Sequence, residues 1–333
     1  MIQEKITLGK GTQYPLEGLL TLPAAADNTS NESPYPAVVL VQGSGASDMD
    51  ERIKKVKPFK DIAEGLAQRG VAAIRYNKRS YSHGRKMVKE SKSNITVNEE
   101  VIEDALLALG LLRDDPRIDA SRIYFGGHSL GGMLAPRIDA VGTVSASDIT
   151  SGTWDGIIGN FAGLIIMAGS PRKLEDIIKR QQEDYLKTAK GIMAWIAQKQ
   201  VEKYSKKLSS IPNLSDEEAK AIPFAGHTSL YYFKDMGDWP TGDYLRQSKK
   251  PILVLQGEKD LQVLLQEDFD EYKRLLENNP RAQFRMYEGL NHAFMPSVAG
   301  SVEKAMQEYK LVRHVEPYVI DDIADWILGQ GES

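Results

Sequence analysis

A short apolar run, Tyr124-Phe125-Gly126, leads into Gly127-His128-Ser129-Leu130-Gly131-Gly132, and a helix-forming stretch, Met133-Leu134-Ala135, follows directly. Strand, Gly-x-Ser-x-Gly and helix in that order make the pattern of a nucleophile elbow. A serine at the apex of so sharp a strand-to-helix turn has strained backbone dihedrals, and side chains flanking the turn would collide. Gly127 and Gly131 leave that space free. The turn holds the Ser129 hydroxyl clear of the sheet and aims the next backbone amides at the same point. Five residues of this kind are common by chance. The strand before them and the helix after them are what constrain the fold.

Two later segments supply partners. Pro251-Ile252-Leu253-Val254-Leu255-Gln256-Gly257-Glu258-Lys259-Asp260 reads as a buried strand ending in a glycine turn, with an acid just beyond its carboxyl end. Phe284-Arg285-Met286-Tyr287 reads as one more strand, followed by Glu288-Gly289-Leu290-Asn291-His292. Ser129, Asp260 and His292 thus each lie just past the carboxyl end of a strand, where open α/β sheets place their sites. Glu258 is a competing acid, but position favours Asp260. His314 sits on a helix-like stretch, which leaves His292 as the histidine of the last third on a post-strand loop. His128 is expected to support the turn, and His83 and His227 to lie on the surface or on an insertion.

The chemistry of such a set is specific. A serine hydroxyl at neutral pH is a weak nucleophile and needs a base within hydrogen-bond reach. His292 would take the Ser129 proton and return it to the leaving group, and Asp260 would fix the imidazole tautomer. The tetrahedral oxyanion needs preorganised donors. One is expected to be the amide of Leu130, and the other an amide of the loop after the third strand, Gln42-Gly43-Ser44-Gly45, where Ser44 is the choice.

Around these residues, strands and helices alternate. Residues 5–23 suggest an opening antiparallel hairpin and 26–34 a surface loop. Ala37-Val38-Val39-Leu40-Val41 is apolar throughout, as expected of a strand buried on both faces. Phe59, Ile62, Ala63 and Leu66 recur at helical spacing, then Val71-Ala72-Ala73-Ile74 returns as a strand. Thr96-Val97-Asn98-Glu99 resembles a capping box before the helical face Val101, Ala105, Leu109 and Leu112. Gly163-Leu164-Ile165-Ile166-Met167-Ala168 is the strand after the elbow. The pattern predicts an α/β fold: a mostly parallel central sheet with helices on both faces.

The alternation breaks over residues 171–250. Helix faces carrying Ile177, Ile178, Tyr185, Ile192, Trp195 and Ile196, and a short helix over 216–221, replace strands there. This stretch is expected to be a helical lid, with 1–170 and 251–333 forming the core. Trp195, Tyr231, Tyr232, Phe233 and Trp239 form an aromatic cluster in it. Such rings either pack the lid onto the core or wall a pocket. Tyr231, Tyr232 and Trp239 are the pocket candidates.

Composition narrows the functions further. A net charge of −4 offers no broad attraction for nucleic acid or anionic membranes. The chain has no cysteine, which excludes disulfides, thiol catalysis and thiolate metal sites. Its five histidines show no paired spacing, so neither a metal nor a cofactor is expected. Met1-Ile2-Gln3-Glu4-Lys5 lacks the apolar run of a signal peptide and no segment is long enough to span a bilayer, so a soluble, cytoplasmic protein is expected. The sequons at Asn28 and Asn94 then count as chance matches. The oligomeric state is left open.

The chain resembles the α/β-hydrolase superfamily, in the branch of dienelactone hydrolases and prolyl-oligopeptidase-like serine hydrolases. The order serine, acid, histidine belongs to that superfamily and differs from the chymotrypsin and subtilisin orders. Supporting it are Gly43-Ser44-Gly45 followed by Asp48-Met49-Asp50-Glu51, and Arg75-Tyr76-Asn77-Lys78-Arg79. Asp115-Pro116-Arg117-Ile118-Asp119 before the elbow and Leu255-Gln256-Gly257-Glu258-Lys259-Asp260 add to it. Over most of its length the chain is similar to lid-bearing bacterial carboxylesterases. It departs from the pattern at Gln42, where many relatives have histidine, and at Asn77 and Ser80, where Asp-Lys-Arg-Gly is usual. The resemblance implies a serine carboxylesterase acting on small-molecule esters of small or medium acyl groups. An acyl-CoA thioesterase or small-peptide hydrolase is the alternative, with Lys173, Lys179, Arg180 and Lys187 a faint candidate patch for CoA phosphates. A scaffold without activity is a third reading, disfavoured because all three residue types are retained.

Overall fold

Eight strands, β1 (Ile2–Leu8), β2 (Leu16–Leu22), β3 (Tyr35–Val41), β4 (Ala72–Tyr76), β5 (Ile118–His128), β6 (Leu164–Met167), β7 (Ile252–Gly257) and β8 (Ala282–Tyr287), form one sheet. Their order across it is β1-β2-β4-β3-β5-β6-β7-β8. The computed structural model describes residues 1–24, 34–91, 94–141, 161–188, 191–224 and 228–331. β1 and β2 make the expected hairpin, in register from Ile2↔Leu22 to Leu8↔Leu16, and β2 runs antiparallel to β4. From β4 to β8 every pairing is parallel, so the carboxyl ends of β3, β5, β7 and β8 share one edge.

The unbroken apolar runs arise because both faces are covered. Ala37, Val39 and Val41 enter one apolar cluster, and Val38 and Leu40 the other; Ile252 and Val254 oppose Leu253 and Leu255 in the same way. The helices are α1 (Pro58–Gln68), α2 (Arg79–Ser91), α3 (Glu103–Arg113), α4 (Leu130–Val141), α5 (Leu174–Thr188), α6 (Gly191–Ser210), α7 (Asp216–Ala221), α8 (Leu230–Asp238), α9 (Thr241–Gln247), α10 (Asp270–Leu275), α11 (Val302–Glu308) and α12 (Pro317–Gly329). α1 and α12 cover one face through Phe59, Ile62, Leu66, Val319, Ile323 and Ile327. α3 and α4 cover the other through Ala105, Leu109, Leu112, Leu134 and Ile138.

Several expectations are corrected. No element is read from the sequence over Arg79–Ser91, because α2 is mostly polar and buries Met87 as its one large apolar side chain. His314 lies in the irregular segment before α12, with Nδ1 3.0 Å from Asp61 Oδ1, because the helix starts only at Pro317. Thr96 makes half of a capping box: Glu99 Oε2 accepts from the Thr96 N–H at 2.8 Å and from its hydroxyl at 2.6 Å. Thr96 Oγ1 in turn accepts the N–H of Asn98, one residue early, because the first turn, Asn98–Ile102, is a π-helix.

Between β6 and β7 the chain runs through α5 to α9, with a single isolated bridge, Pro223↔Ser229, as its extended pairing among the described residues. Leu208, Leu230, Tyr232, Phe233 and Leu245 from this stretch join the apolar cluster of β3 and α4. The loop expected over 26–34, apart from Pro34, and His227 lie outside the described residues, as do the side chains of Tyr185, Lys187, Ile192 and Ile196. No helix among the described residues is long and apolar enough to cross a membrane.

Candidate active site

Ser129 follows the last residue of β5 and has φ +53°, a left-handed conformation that costs a non-glycine residue of order 1–3 kcal/mol. The strain is held by packing around it. A Cβ on Gly127 would meet the Gly131 carbonyl at 2.4 Å, and one on Gly131 would meet the Val41 carbonyl oxygen at 2.2 Å. Gly127 is therefore required by the tightness of the turn itself, and Gly131 by the turn's close approach to the end of β3. The Ser129 N–H donates to the Met167 carbonyl and its carbonyl accepts from the Met133 N–H, each at 2.9 Å.

His292 and Asp260 meet in the next two loops along the sheet edge. His292 Nδ1 donates to Asp260 Oδ2 at 2.7 Å, and both residues are about 95% buried. Asp260 is itself constrained: Gln256 Nε2 donates to Oδ2 at 3.1 Å, and the Gln262 and Val263 amides donate to Oδ1 at 2.8 and 3.1 Å. Three donors outside the histidine thus converge on its two oxygens. Glu258 is elsewhere, its Oε2 accepting the Gly289 N–H at 3.0 Å. Ser129 and His292 line the same cavity without a hydrogen bond between them; such contacts commonly tighten only in the substrate complex.

His128 is a second buried imidazole between these loops. Its Nε2 donates to the His292 carbonyl at 2.9 Å, and its Nδ1 lies 3.0 Å from Glu51 Oε1. Burial alone would depress this imidazole, but the Glu51 carboxylate, the His292 carbonyl and the charge of Asp260 together hold it above the ordinary histidine value. Glu51 Oε1 also accepts the Gly43 N–H at 2.6 Å. The expectation that His128 supports the turn therefore has a concrete form: it ties the histidine loop to the loop after β3.

The segment Arg75-Tyr76-Asn77-Lys78-Arg79 braces that same loop. Arg75 Nε lies 3.2 Å from Asp50, Asn77 Oδ1 accepts the Met49 N–H at 2.8 Å, and the Lys78 N–H donates to the Ser47 carbonyl at 3.0 Å. Gln42 Nε2 donates to the Tyr76 carbonyl, so two of the three positions that depart from the family pattern, Gln42 and Asn77, take part in loop packing. The Ser44 and Leu130 N–H groups have no acceptor among the described residues.

A cavity of about 630 Å³ opens onto Ser129, His292, Ser44 and Leu130. Leu174, Ile177, Ile178, Phe224, Tyr232 and Phe233 from the helical stretch wall its far side. Of the three proposed pocket aromatics, only Tyr232 lines it, and the other two are corrected. Tyr231 is the next residue on α8, about 100° around the helix, and faces Lys220, whose ammonium lies 4.7 Å from its ring. Trp239 lies past the end of α8, packs its ring at a tilt against Tyr244 with centroids 5.9 Å apart, and lines a separate cleft of about 220 Å³. Trp195 is 64% exposed and belongs to neither. Sequence reasoning missed Phe224, which joins Tyr204 and Phe233 at ring distances of 4.9 and 4.7 Å, and the polar wall residues Glu51 and Glu100. In the proposed basic patch, Lys179 and Arg180 pair with Asp176 and Asp184 on their own helix. Among the described residues no group of three or more His, Asp or Glu could hold a metal.

A sequence model of the alpha/beta hydrolase family matches residues 38–303. The chain belongs to the alpha/beta hydrolase family. The chain is 31% identical over 313 residues to Esterase EstD of Thermotoga maritima, a match that covers 94% of the chain. It spans 65% of that relative's length. Among solved structures it is similar to Est1E from Butyrivibrio proteoclasticus, with a TM-score of 0.58 at 15% identity over 99% of both chains. The thermophilic esterase Est2 of Thermogutta terrifontis gives 0.54 at 16% identity, covering 98% of this chain and 91% of the other. At such identities the structural likeness shows the fold.

Proposed function

We propose that this alpha/beta hydrolase is a serine esterase that cleaves carboxylic esters of small or medium acyl groups. The observation that carries the reading is the buried His292 Nδ1–Asp260 Oδ2 bond at 2.7 Å beside a strained Ser129 in one cavity. With Nδ1 donating to Asp260, the Nε2 lone pair is free to accept a proton. His292 takes the Ser129 proton as Oγ bonds to the ester carbonyl carbon, and the carbonyl π electrons move onto oxygen. The N–H groups of Ser44 and Leu130 receive that oxyanion. Collapse of the intermediate breaks the C–O bond to the alcohol, which leaves with the proton from His292. Water repeats the sequence to release the acid.

The helices between β6 and β7 act as the lid in this reading, with Ile177, Ile178, Phe224 and Phe233 contacting the acyl chain. The name of the Thermotoga relative supports an ester substrate. A fluorophosphonate should label Ser129, and a panel of p-nitrophenyl and CoA esters of varied chain length should show turnover of the former. Ser129→Ala should abolish both while the protein stays folded. Substantial steady-state hydrolysis by folded Ser129→Ala protein would sink the assignment.

A further inference from the structure

Lys78 is 2% exposed, and its ammonium is committed to two contacts at the edge of the cavity. Nζ donates to the Gly43 carbonyl at 2.9 Å and lies 3.3 Å from Glu100 Oε1. Glu100 Oε2 accepts the hydroxyl of Tyr232 at 2.8 Å. A buried ammonium on a backbone carbonyl calls for a reason, since desolvating the charge is costly. The carbonyl belongs to the peptide unit whose N–H is that of Ser44. The peptide is planar and trans, so its C=O and N–H point in opposite directions. Fixing one fixes the other.

Resting on the esterase reading above, we propose that Lys78 is the positioning residue of the oxyanion hole, pinning the Gly43 carbonyl so that the Ser44 N–H faces the oxyanion that forms when Ser129 attacks the ester carbonyl. The preceding peptide is pinned too, because the Gly43 N–H is held by Glu51 at 2.6 Å. Two neighbouring peptide planes therefore have opposite ends tied to buried charges, and the loop cannot rotate one without breaking a charged hydrogen bond. Gly43 is close enough to the nucleophile that a Cβ there would come within 3.0 Å of Ser129 Cβ, so a rotated peptide has direct consequences at the serine. The ammonium also polarises the amide it binds, and successive polarised hydrogen bonds strengthen one another. Glu100 keeps the ammonium in place, and the Tyr232 hydroxyl keeps Glu100 in place, which connects α8 of the lid to the oxyanion loop.

The test uses the full chain carrying Lys78→Met, and the double variant Lys78→Met/Glu100→Gln, which removes both buried charges and leaves none unpaired. With p-nitrophenyl butyrate, kcat should fall about 10²-fold, the loss typical of one oxyanion donor, while KM changes less than about threefold. Affinity for an alkyl boronic acid, which forms a tetrahedral adduct on serine, should fall in proportion. Labelling glycine with ¹³C′ and serine with ¹⁵N reports the chain's three Gly-Ser peptides, 43–44, 169–170 and 300–301, and only the first should shift. A folded double variant with kcat and boronate affinity within about threefold of the parent refutes the role of Lys78. So does an unmoved Ser44 signal. Wild-type protein that neither turns over esters nor binds the boronate refutes the esterase reading instead, and the Ser44 signal then still decides for or against Lys78.

Discussion

Replacing Asp260 by asparagine tests the acid, and the surrounding hydrogen bonds dictate the outcome. The Gln262 and Val263 amides, at 2.8 and 3.1 Å from Oδ1, can only donate. The introduced carboxamide must keep its carbonyl oxygen toward them, which turns its NH₂ group toward His292 Nδ1 and Gln256 Nε2. Gln256 has little freedom to flip, because its Nε2 also donates to the Val263 carbonyl at 3.0 Å and the Gly257 carbonyl at 3.3 Å. The imidazole must then present a lone pair at Nδ1 and carry its proton on Nε2, where it can no longer accept the serine proton. The wrong tautomer costs on the order of 10⁴ in kcat, or about 5.5 kcal/mol of barrier. The donor facing Gln256 adds about 1–3 kcal/mol of lost stability, leaving the protein folded. Steady-state hydrolysis of p-nitrophenyl butyrate, with thermal unfolding on the same samples, measures both. Glu258→Gln is the control and should change kcat by less than about threefold, since Glu258 lies outside the cavity, accepting the Gly289 N–H and pairing with Lys259. An Asp260→Asn protein retaining a tenth of wild-type kcat, or a crippled Glu258→Gln protein, would refute the reasoning.

Two other outcomes follow from the same geometry. Phe233→Ala should shift acyl preference toward longer chains by about tenfold, at 1–3 kcal/mol per methylene, whereas Trp239→Ala should leave the chain-length profile unchanged; a profile altered by Trp239 and not by Phe233 would overturn the assignment of the wall. The raised pKa of His128 makes a statement about stability: because the folded value lies above the unfolded value of about 6.5, the contribution is complete below that pH and is lost as pH rises through the folded value. The melting-temperature gap between wild type and His128→Gln should therefore shrink as pH is raised from near about 6.5, and a gap that is constant or widens over that range would count against a protonated His128 beside Glu51.

Local chemistry explains what could be read from the chain alone. A turn this tight leaves no room for a Cβ at 127, and its approach to β3 leaves none at 131, so Gly-x-Ser-x-Gly carries its backbone geometry in its composition. Strands covered on both faces must be apolar at every position, which exposes β3, β6 and β7 as continuous runs. Parallel pairing then brings Ser129, Asp260 and His292 to one edge, although they are separated by 131 and 32 residues in sequence (129 to 260, 260 to 292). The choice between Asp260 and Glu258 is already tilted by strand position, but only the fold shows the three extra donors on Asp260 and the distant place of Glu258.

Side-chain direction on the inserted helices was out of reach. Tyr231 and Tyr232 are adjacent and chemically alike, and the angle between successive helical residues sends one to Lys220 and the other to Glu100. Which of them faces the cavity depends on how α8 is rotated against α4, a matter of packing between segments distant in sequence. The same holds for Lys78 and Glu51. Each is an ordinary charged residue in a polar stretch, and nothing local marks it as buried. Their burial follows from two loops brought together by the β3–β4 pairing, because a charge is retained inside a protein only where the tertiary structure supplies its partners.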